Sequence, residues 1–339
     1  MQMPFSGKES QLAVTIICEE DVIPNWSIGK YREKLIVALR AAGIEPKVVT
    51  PSYSRSGAKV GGLISRVVFL FSRIPKPQGR VIHCLGTPVP KNVDVVTIAD
   101  FSWRYRRSRS RVAKLSSSIF DKWSIRKARF IVVFTEESKR EIRRFYGESI
   151  VAKTVVIPIP FDVPKMISVD KPSPVKLLWV GTTRPDKRLG LFLEVASHLP
   201  FQSVVKLPEG QNYNRSVSGQ IHILSSDLSE EELRDLYLSS ACIVSTSSPH
   251  AEGFHMPIVE AYIHGTKVVV PRFPPYTDLF GHSASGVYYY DSDSELSDTI
   301  KRAVSGPSFV PNANLLRALS FREVGDHYKR LYSRVLAKP

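Results

Sequence analysis

The sequence predicts an α/β protein in which two doubly wound parallel sheets face a common cleft. Short apolar runs alternate with helical segments in both halves of the chain, as parallel strands joined by crossover helices require. A proline-rich segment separates the halves, and 339 residues exceed the size of one ordinary domain. These three observations indicate two Rossmann-like units.

The first half begins with the apolar run LAVTIIC at residues 12–18, which is typical of a buried parallel strand. A helix is expected next in SIGKYREKLIVALRAAGI, where Gly43 supplies a C-terminal stop. The remaining predicted elements are the strands PKVVTP, RVIHCL, VDVVTIAD, ARFIVVFT and TVVIP and the helix SKREIRRFYG.

The domain boundary is predicted between residues 157 and 176, where five prolines disfavour both a helix and a central strand. We therefore expect an N-terminal domain over residues 1–163 and a C-terminal domain over residues 174–312. Residues 313–339 are predicted to be helical and to pack back across the boundary.

The second half repeats the alternation of strands and helices. Its predicted strands are VKLLWVG, SVVKL, HILSS, ACIVSTS and KVVVP, and its predicted helices are LGLFLEVASHL, SEEELRDLYLSS and PIVEAYIHG.

Composition narrows the classes of function. A formal charge of +15 favours phosphates, nucleic acids or anionic lipid headgroups as partners. Cys18, Cys84 and Cys242 lack metal-ligand spacing, which favours a reducing compartment and no bound metal. No apolar signal region and no run of about 18 apolar residues occurs. A cytoplasmic protein is therefore expected.

The most informative segment has two carboxylates eight positions apart, Glu252 and Glu260, with Pro257 between them. Because proline favours the first turn of a helix, Glu252 is expected in a loop and Glu260 about one turn inside the helix. The backbone N–H groups of Gly253 to Met256 would then point toward an anion such as a diphosphate. A carboxylate can accept two hydrogen bonds from a sugar diol.

A second candidate segment, GTTRPDK, directly follows a predicted strand. Gly181 lies at the strand end, where doubly wound sheets bind ligands, and Arg184 and Lys187 follow within one turn. Arginine offers planar bidentate contacts to phosphate, and lysine adds a compact charge. A solvated basic turn is the alternative interpretation.

The C-terminal half resembles the retaining GT-B glycosyltransferases of family 4. Its segments LLWVGTTRPDK, LSEEELRDLYLSSACIVSTSS, EGFHMPIVEAYIHG and KVVVP occur in the family's order, and the third is similar to the E-x7-E motif. The resemblance implies a GT-B fold, a nucleotide-sugar donor bound by the C-terminal domain and retention at the anomeric carbon.

The resemblance also implies roles for individual residues. Glu260 would hold the donor ribose, Glu252 would lie near the transferred sugar, and Arg184 and Lys187 would bind the diphosphate. The donor site would be completed by Gly181, Gly253, Phe254, His255 and Met256. His255 departs from the family, which usually has a small residue there, and is expected either to change the loop path or to contact phosphate. The family generally needs no divalent ion.

The N-terminal half resembles the family's acceptor domain in VVTIADFSWRY and ARFIVVFTEESKREIRRFYG. Ala99 stands where the family often has histidine, which leaves Asp100 as the candidate on the acceptor side, with a strand-end cap as the alternative. His83 lies at the end of another predicted strand, RVIHCL, and is expected either in the cleft or as a core histidine.

Two segments predict contact with an anionic membrane. Residues 59–74 combine an apolar face with Lys59, Arg66 and Arg73, and residues 104–114 contain five arginines and a lysine. A helix packed on its own sheet followed by a solvated basic loop is the alternative. No nucleic-acid-binding signature accompanies the arginines.

The sequence therefore predicts transfer of a hexose, with mannose as one option, from a GDP- or UDP-linked sugar to a glycan or lipid-linked acceptor. The enzyme would be peripheral on the inner face of the plasma membrane. The alternative is a polyanion- or nucleic-acid-binding protein on an inactive GT-B scaffold.

Overall fold

The computed structural model describes residues 12–18, 27–50, 68–75, 80–99, 101, 111–164, 176–211, 213, 219–250 and 252–337. These residues form two six-stranded parallel sheets with helices packed on them. The predicted α/β class with two Rossmann-like units is confirmed.

The first sheet has the order β2-β1-β3-β4-β5-β6, and every neighbouring pair is parallel. Its strands are β1 (Ala13–Ile17), β2 (Pro46–Val49), β3 (Arg80–Leu85), β4 (Val95–Thr97), β5 (Phe130–Val133) and β6 (Thr154–Val156). Apolar side chains of β1, β3 and β5 are buried, as expected for a sheet covered on both faces.

The second sheet has the order β12-β11-β10-β7-β8-β9 and is also parallel throughout. Its strands are β7 (Lys176–Val180), β8 (Gln202–Lys206), β9 (Ile221–Leu224), β10 (Cys242–Val244), β11 (Lys267–Pro271) and β12 (Val287–Tyr290). The order reverses between β7 and β10, which is the switch point at which doubly wound sheets bind ligands.

Eleven α-helices have both ends within the described residues, and residues 68–71 are helical as well. The eleven are α1 (Ser27–Ala41), α2 (Arg111–Lys127), α3 (Glu136–Tyr146), α4 (Glu148–Val151), α5 (Leu189–Ser197), α6 (Glu230–Leu238), α7 (Met256–Ile263), α8 (Tyr276–Phe280), α9 (Leu296–Ser305), α10 (Ala313–Leu319) and α11 (Phe321–Ala337).

Every strand that the sequence predicts lies within these sheets, although several are shorter than expected. Helices α2, α4, α8 and α9 and strand β12 were not predicted. The C-terminal helical segment is also divided, because Ser320 adopts an extended conformation between α10 and α11.

Helix α11 packs against α1 and β3 of the first sheet. The contact is close because Gly325 has no side chain: a Cβ there would lie 2.0 Å from the carbonyl oxygen of Ala38. Tyr328 adds a hydrogen bond to Tyr31, with 2.6 Å between the two hydroxyl oxygens. The chain thus returns from the second sheet to complete the core of the first.

We expect Gly325→Ala to destabilise the protein by about 1 to 3 kcal/mol, since an added methyl group must push α11 away from α1. Gly190→Ala in α5 is the matched control, because a Cβ there meets nothing within 4 Å. Urea unfolding gives both free energies. Equal stability of the two variants would show that α11 does not pack this closely.

Candidate functional site

A cavity of about 330 Å³ lies between the two sheets. Its walls come from residues that follow the carboxyl ends of strands in both halves, including Tyr31, Ala99 and Phe134 from the first. Nine residues predicted for the donor site line it: Gly181, Arg184, Lys187, Glu252, Gly253, Phe254, His255, Met256 and Glu260. The structure therefore brings together two segments that are about 70 residues apart in the sequence.

Lys187 and Glu252 form a buried ion pair at the centre of this group, with side chains 11% and 8% exposed. Ser247 donates a second hydrogen bond to the same Glu252 oxygen at 2.7 Å. Burial alone would raise the pKa of Glu252, but His255, Lys187 and Ser247 together hold it at about 2. Glu252 is therefore a fixed anion at neutral pH.

A short 3₁₀ turn, Pro185–Lys187, positions Lys187. Arg188 follows in the left-handed region at φ 54°, and the Thr246 hydroxyl donates to the Lys187 carbonyl at 2.9 Å. Trp179 in turn donates from Nε1 to Thr246 at 3.1 Å. Gly181 is required beside this indole, because a Cβ there would lie 2.7 Å from the ring.

Arg184 lines the cavity while its guanidinium contacts Asp186 in the same turn. Nε and one terminal nitrogen lie 3.0 and 2.5 Å from the two carboxylate oxygens. This bidentate contact holds the guanidinium at the mouth of the cavity, about one-third exposed.

His255 belongs to a buried chain of hydrogen bonds with Tyr276 and Ser245. Its Nδ1 lies 2.7 Å from the Tyr276 hydroxyl, which lies 2.7 Å from the Ser245 hydroxyl. Burial lowers the His255 pKa to about 4, although Glu252 opposes this, so the ring is uncharged at neutral pH. Its Nε2 is buried without a hydrogen-bond partner among the described residues and lies 3.8 Å from Glu252.

Helix α7 begins at Met256 with Pro257 in its first turn, as the sequence predicts. The amides of residues 253–256 were expected to bind an anion. Of these four, the amide of Met256 already donates a hydrogen bond to the carbonyl oxygen of Phe254 at 3.1 Å. Gly253 accepts a hydrogen bond from Thr135 of the first half at 3.3 Å, and Phe254 stacks on Phe161. The loop of the second half is thus held against the first half.

Glu260 receives contacts from both halves of the molecule. The Tyr237 hydroxyl donates to one carboxylate oxygen at 3.0 Å, and Lys34 of α1 lies 3.5 Å from the other. Lys34 also lies over the ring of Phe161, 4.9 Å from its centroid. The carboxylate is therefore oriented toward the cavity by a second-half phenol and a first-half cation.

Further charged residues line the cavity, and the sequence motifs did not identify them. Lys30 comes from α1, Lys206 from the end of β8 and Asp227 from the segment after β9. Burial lowers the pKa of Lys206, Asp227 opposes this shift, and Lys30 adds to it. Together with Arg184, Lys187, Glu252 and Glu260, the lining has four cations and three anions. This arrangement suits an anionic ligand that also carries hydroxyl groups.

Of the two residues predicted for the acceptor side, His83 lies within the described part of the chain. Asp100 lies outside the described residues, although its neighbour Ala99 lines the cavity. His83 does not line the cavity and is fully buried, with Nδ1 2.7 Å from the Tyr332 hydroxyl and Nε2 2.8 Å from Thr97. Both ring nitrogens of His83 have partners in the core. The structure therefore favours a core histidine over a residue that faces the cleft.

We expect His83 to make stability depend on pH. Burial lowers its pKa from 6.5 to about 3, so between these values the unfolded chain binds a proton that the folded chain does not. Stability therefore falls as pH falls through this range. In His83→Gln the slope between about pH 4 and 6 should be shallower by up to about 1.4 kcal/mol per pH unit. Urea unfolding at several pH values measures it.

The control for this experiment is His222→Gln, which changes an exposed histidine. The unfolding free energy of this variant should depend on pH with the same slope as that of the wild type. An unchanged slope in His83→Gln would contradict a buried neutral His83.

Among the described residues, a group of three side chains could hold a metal ion, because their potential ligand atoms lie within 4.8 Å of one another. The three are Glu137, Glu141 and His250. His250 Nδ1 lies 3.8 and 4.0 Å from the two carboxylates, and none of the three lines the cavity. Asp291 and Asp293 have the D-x-D spacing of some metal sites. In the structure Asp291 pairs with Arg272, and Asp293 pairs with Arg188.

The two basic segments predicted to contact a membrane fall largely outside the described residues, which resume at 68 and 111. In the described part of the chain, no helix is both long and apolar enough to cross a bilayer.

The sequence matches no protein-family model and no curated protein. Solved structures match over almost the whole chain. Sucrose-phosphate synthase from Thermosynechococcus elongatus superposes with a TM-score of 0.70 at 14% identity, covering 96% of this chain and 100% of that one. The lipopolysaccharide outer core galactosyltransferase WaaB gives 0.63 at 12% identity, covering 95% and 99%.

Anabaena HepE in complex with UDP-glucose gives a TM-score of 0.56 at 12% identity, covering 96% of this chain and 97% of that one. At such identities the likeness concerns the fold. This chain therefore has the GT-B fold, with its cavity in the cleft between the two sheets.

Proposed function

We propose that this protein is a retaining glycosyltransferase that transfers a hexose from a nucleoside-diphosphate sugar. The observation that carries the proposal is the meeting of Glu252, Lys187 and Glu260 in one cleft of a GT-B fold. The similar structures include a galactosyltransferase and a protein bound to UDP-glucose, which supports a sugar nucleotide as the ligand.

Glu260 is proposed to bind the ribose. Its carboxylate is already oriented by Tyr237, and ionised carboxylates have lone pairs for about four hydrogen bonds. A vicinal diol can donate two of these. The 12% exposure of the Glu260 side chain keeps competing water to a minimum.

Lys187 and Arg184 are proposed to bind the diphosphate, with Gly181 allowing the backbone to approach it. Negative charge accumulates on the leaving phosphate as the glycosidic bond breaks, and fixed cations in a dry cleft stabilise it without reorganising. These side chains would supply the charge compensation that a divalent ion supplies elsewhere, so no metal is required in this proposal.

Glu252 is proposed to contact the transferred sugar from the position fixed by Lys187 and Ser247. His255 would add a hydrogen bond to the same sugar or its phosphate through Nε2, which already points to the Glu252 side of the cavity. Gly253, Phe254 and Met256 would complete this wall. The leaving phosphate accepts the proton of the acceptor hydroxyl, so no side-chain base is needed.

The acceptor is proposed to be a glycan or lipid-linked sugar that enters from the first half, near Ala99. Asp100, the next residue in the sequence, is proposed to contact it. A cytoplasmic enzyme peripheral on the inner face of the plasma membrane fits such an acceptor. The side chains that contact the nucleobase select between a UDP-hexose and GDP-mannose. The experiment below identifies which of them is the donor.

Calorimetry and thermal shift with UDP, GDP, ADP, dTDP and their sugar conjugates test the donor site. We expect one nucleotide to stabilise the protein selectively, because a ligand that binds only the folded state raises its stability. Glu260→Gln should lower the affinity for that nucleotide by about 10- to 100-fold, because a charge-assisted hydrogen bond is lost. Glu230→Gln, on the exposed face of α6, is the matched control.

Turnover tests the roles of the ion pair. Lys187→Ala should lower kcat by about 10²- to 10³-fold through loss of leaving-group stabilisation. Glu252→Gln should also lower kcat, while leaving affinity for the free nucleotide nearly unchanged. Circular dichroism at the assay temperature checks that each variant is folded.

Two outcomes would contradict the proposal. Unchanged activity in all three site variants would remove the assigned site. Salt-dependent retention on a polyanion without a response to any nucleotide would favour the inactive binding scaffold instead.

A further inference from the structure

Helix α2 exposes a row of large apolar side chains on the outer surface of the first half. Leu115, Ile119 and Trp123 are 63%, 47% and 43% exposed. Their spacing of four residues places them on one face of the helix. None of them lines the cavity.

The row continues onto the neighbouring helical residues 68–71. Phe71 is 50% exposed and meets Trp123 edge-on, with 5.6 Å between ring centroids. Val68, one turn earlier, is 63% exposed. We call Val68, Phe71, Leu115, Ile119 and Trp123 the apolar ridge.

The apolar ridge is concentrated rather than scattered. It contains five of the nine large hydrophobic side chains that are exposed in the described part of the chain. A contiguous exposed apolar surface marks a site of interaction, whereas single exposed apolar residues are ordinary.

Cations surround the apolar ridge. Lys127 lies over the rings of Trp123 and Phe71, at 4.9 and 5.4 Å from their centroids, and Lys91 lies 5.5 Å from that of Phe71. Lys122 and Arg126 are exposed on the same helix.

The acidic residues described in the sequence around the apolar ridge are buried. Of the described residues between 68 and 129, the acidic ones are Asp94 and Asp121, which are 2% and 5% exposed. Asp121 accepts a hydrogen bond from Thr87 at 2.9 Å, so it faces inward. The surface therefore pairs exposed aromatic and aliphatic groups with the positive charges of Lys91, Lys122, Arg126 and Lys127.

This chemistry matches the headgroup region of an anionic bilayer. Amphipathic surfaces bind there by inserting aromatic and aliphatic side chains about 5–10 Å deep while lysines and arginines contact anionic headgroups. The formal charge of +15 adds long-range attraction to the same partner. We propose that the apolar ridge docks the first half of this protein on an anionic lipid bilayer.

The direction of α2 relates this docking surface to the cleft. Helix α2 ends at Lys127, and β5 begins at Phe130, so the C-terminal end of the helix lies at the amino edge of the sheet. Its N-terminal end, near Leu115, then points to the carboxyl edge that borders the cavity. A docked molecule would present this edge to headgroup-linked acceptors, an aspect that rests on the proposed function.

Flotation of the full chain with lipid vesicles tests the proposal. We expect the wild type to bind phosphatidylcholine vesicles containing about 30% phosphatidylglycerol, to bind pure phosphatidylcholine vesicles weakly, and to lose affinity with added salt. The double variant F71S/W123S should bind the anionic vesicles at least about tenfold more weakly. The matched control V310S/L336S changes two exposed apolar residues elsewhere.

Equal binding of wild type and F71S/W123S to anionic vesicles would overturn the proposal, and so would absence of binding by the wild type. A wild-type dimer in solution that F71S/W123S abolishes would instead assign the apolar ridge to self-association. Nucleotide calorimetry on F71S/W123S should match the wild type, so failure of the docking proposal is distinguished from failure of the donor site.

Discussion

Parallel strand pairing is the constraint from which the cavity follows. In a parallel sheet every strand ends at the same edge, so the segments that follow the strands collect there. The second sheet contributes Gly181 to Lys187 after β7 and Glu252 to Met256 after β10, while the first contributes Ala99 after β4. Facing edges turn segments that are distant in the chain into one set of charges around a single cavity.

The charges in this cavity are fixed before any ligand arrives. Lys187 and Glu252 compensate each other, which offsets the cost of burying two ions, and Ser247 satisfies a further lone pair. Removing one partner would leave the other unpaired in a poorly solvated cavity. His255 differs from its neighbours because it is neutral and is held by Tyr276, so it contributes a directed hydrogen-bonding group without changing the net charge.

Motif and periodicity predicted the two sheets and the nine donor-site candidates, because strand runs and the E-x7-E spacing are local patterns. The contributions of Lys30, Lys34 and Tyr237 were not predictable in this way: which face of a helix meets the cleft is decided by tertiary packing. The core position of His83 depends on Tyr332, which is 249 residues away, and no local pattern reports such a partner. Helix α2 was missed because its basic start resembles a solvated loop.

The return of α11 to the first sheet has a consequence for the order of events during synthesis. Tyr31 finds its hydrogen-bond partner Tyr328 only after 297 further residues have been added. At about 5 to 20 residues per second, this is a delay on the order of 15 to 60 s. During that interval the first half has emerged from the ribosome without the groups that cover Tyr31 and His83, so its core is incomplete. Chaperones that shield apolar surface would therefore act on the half that is translated first.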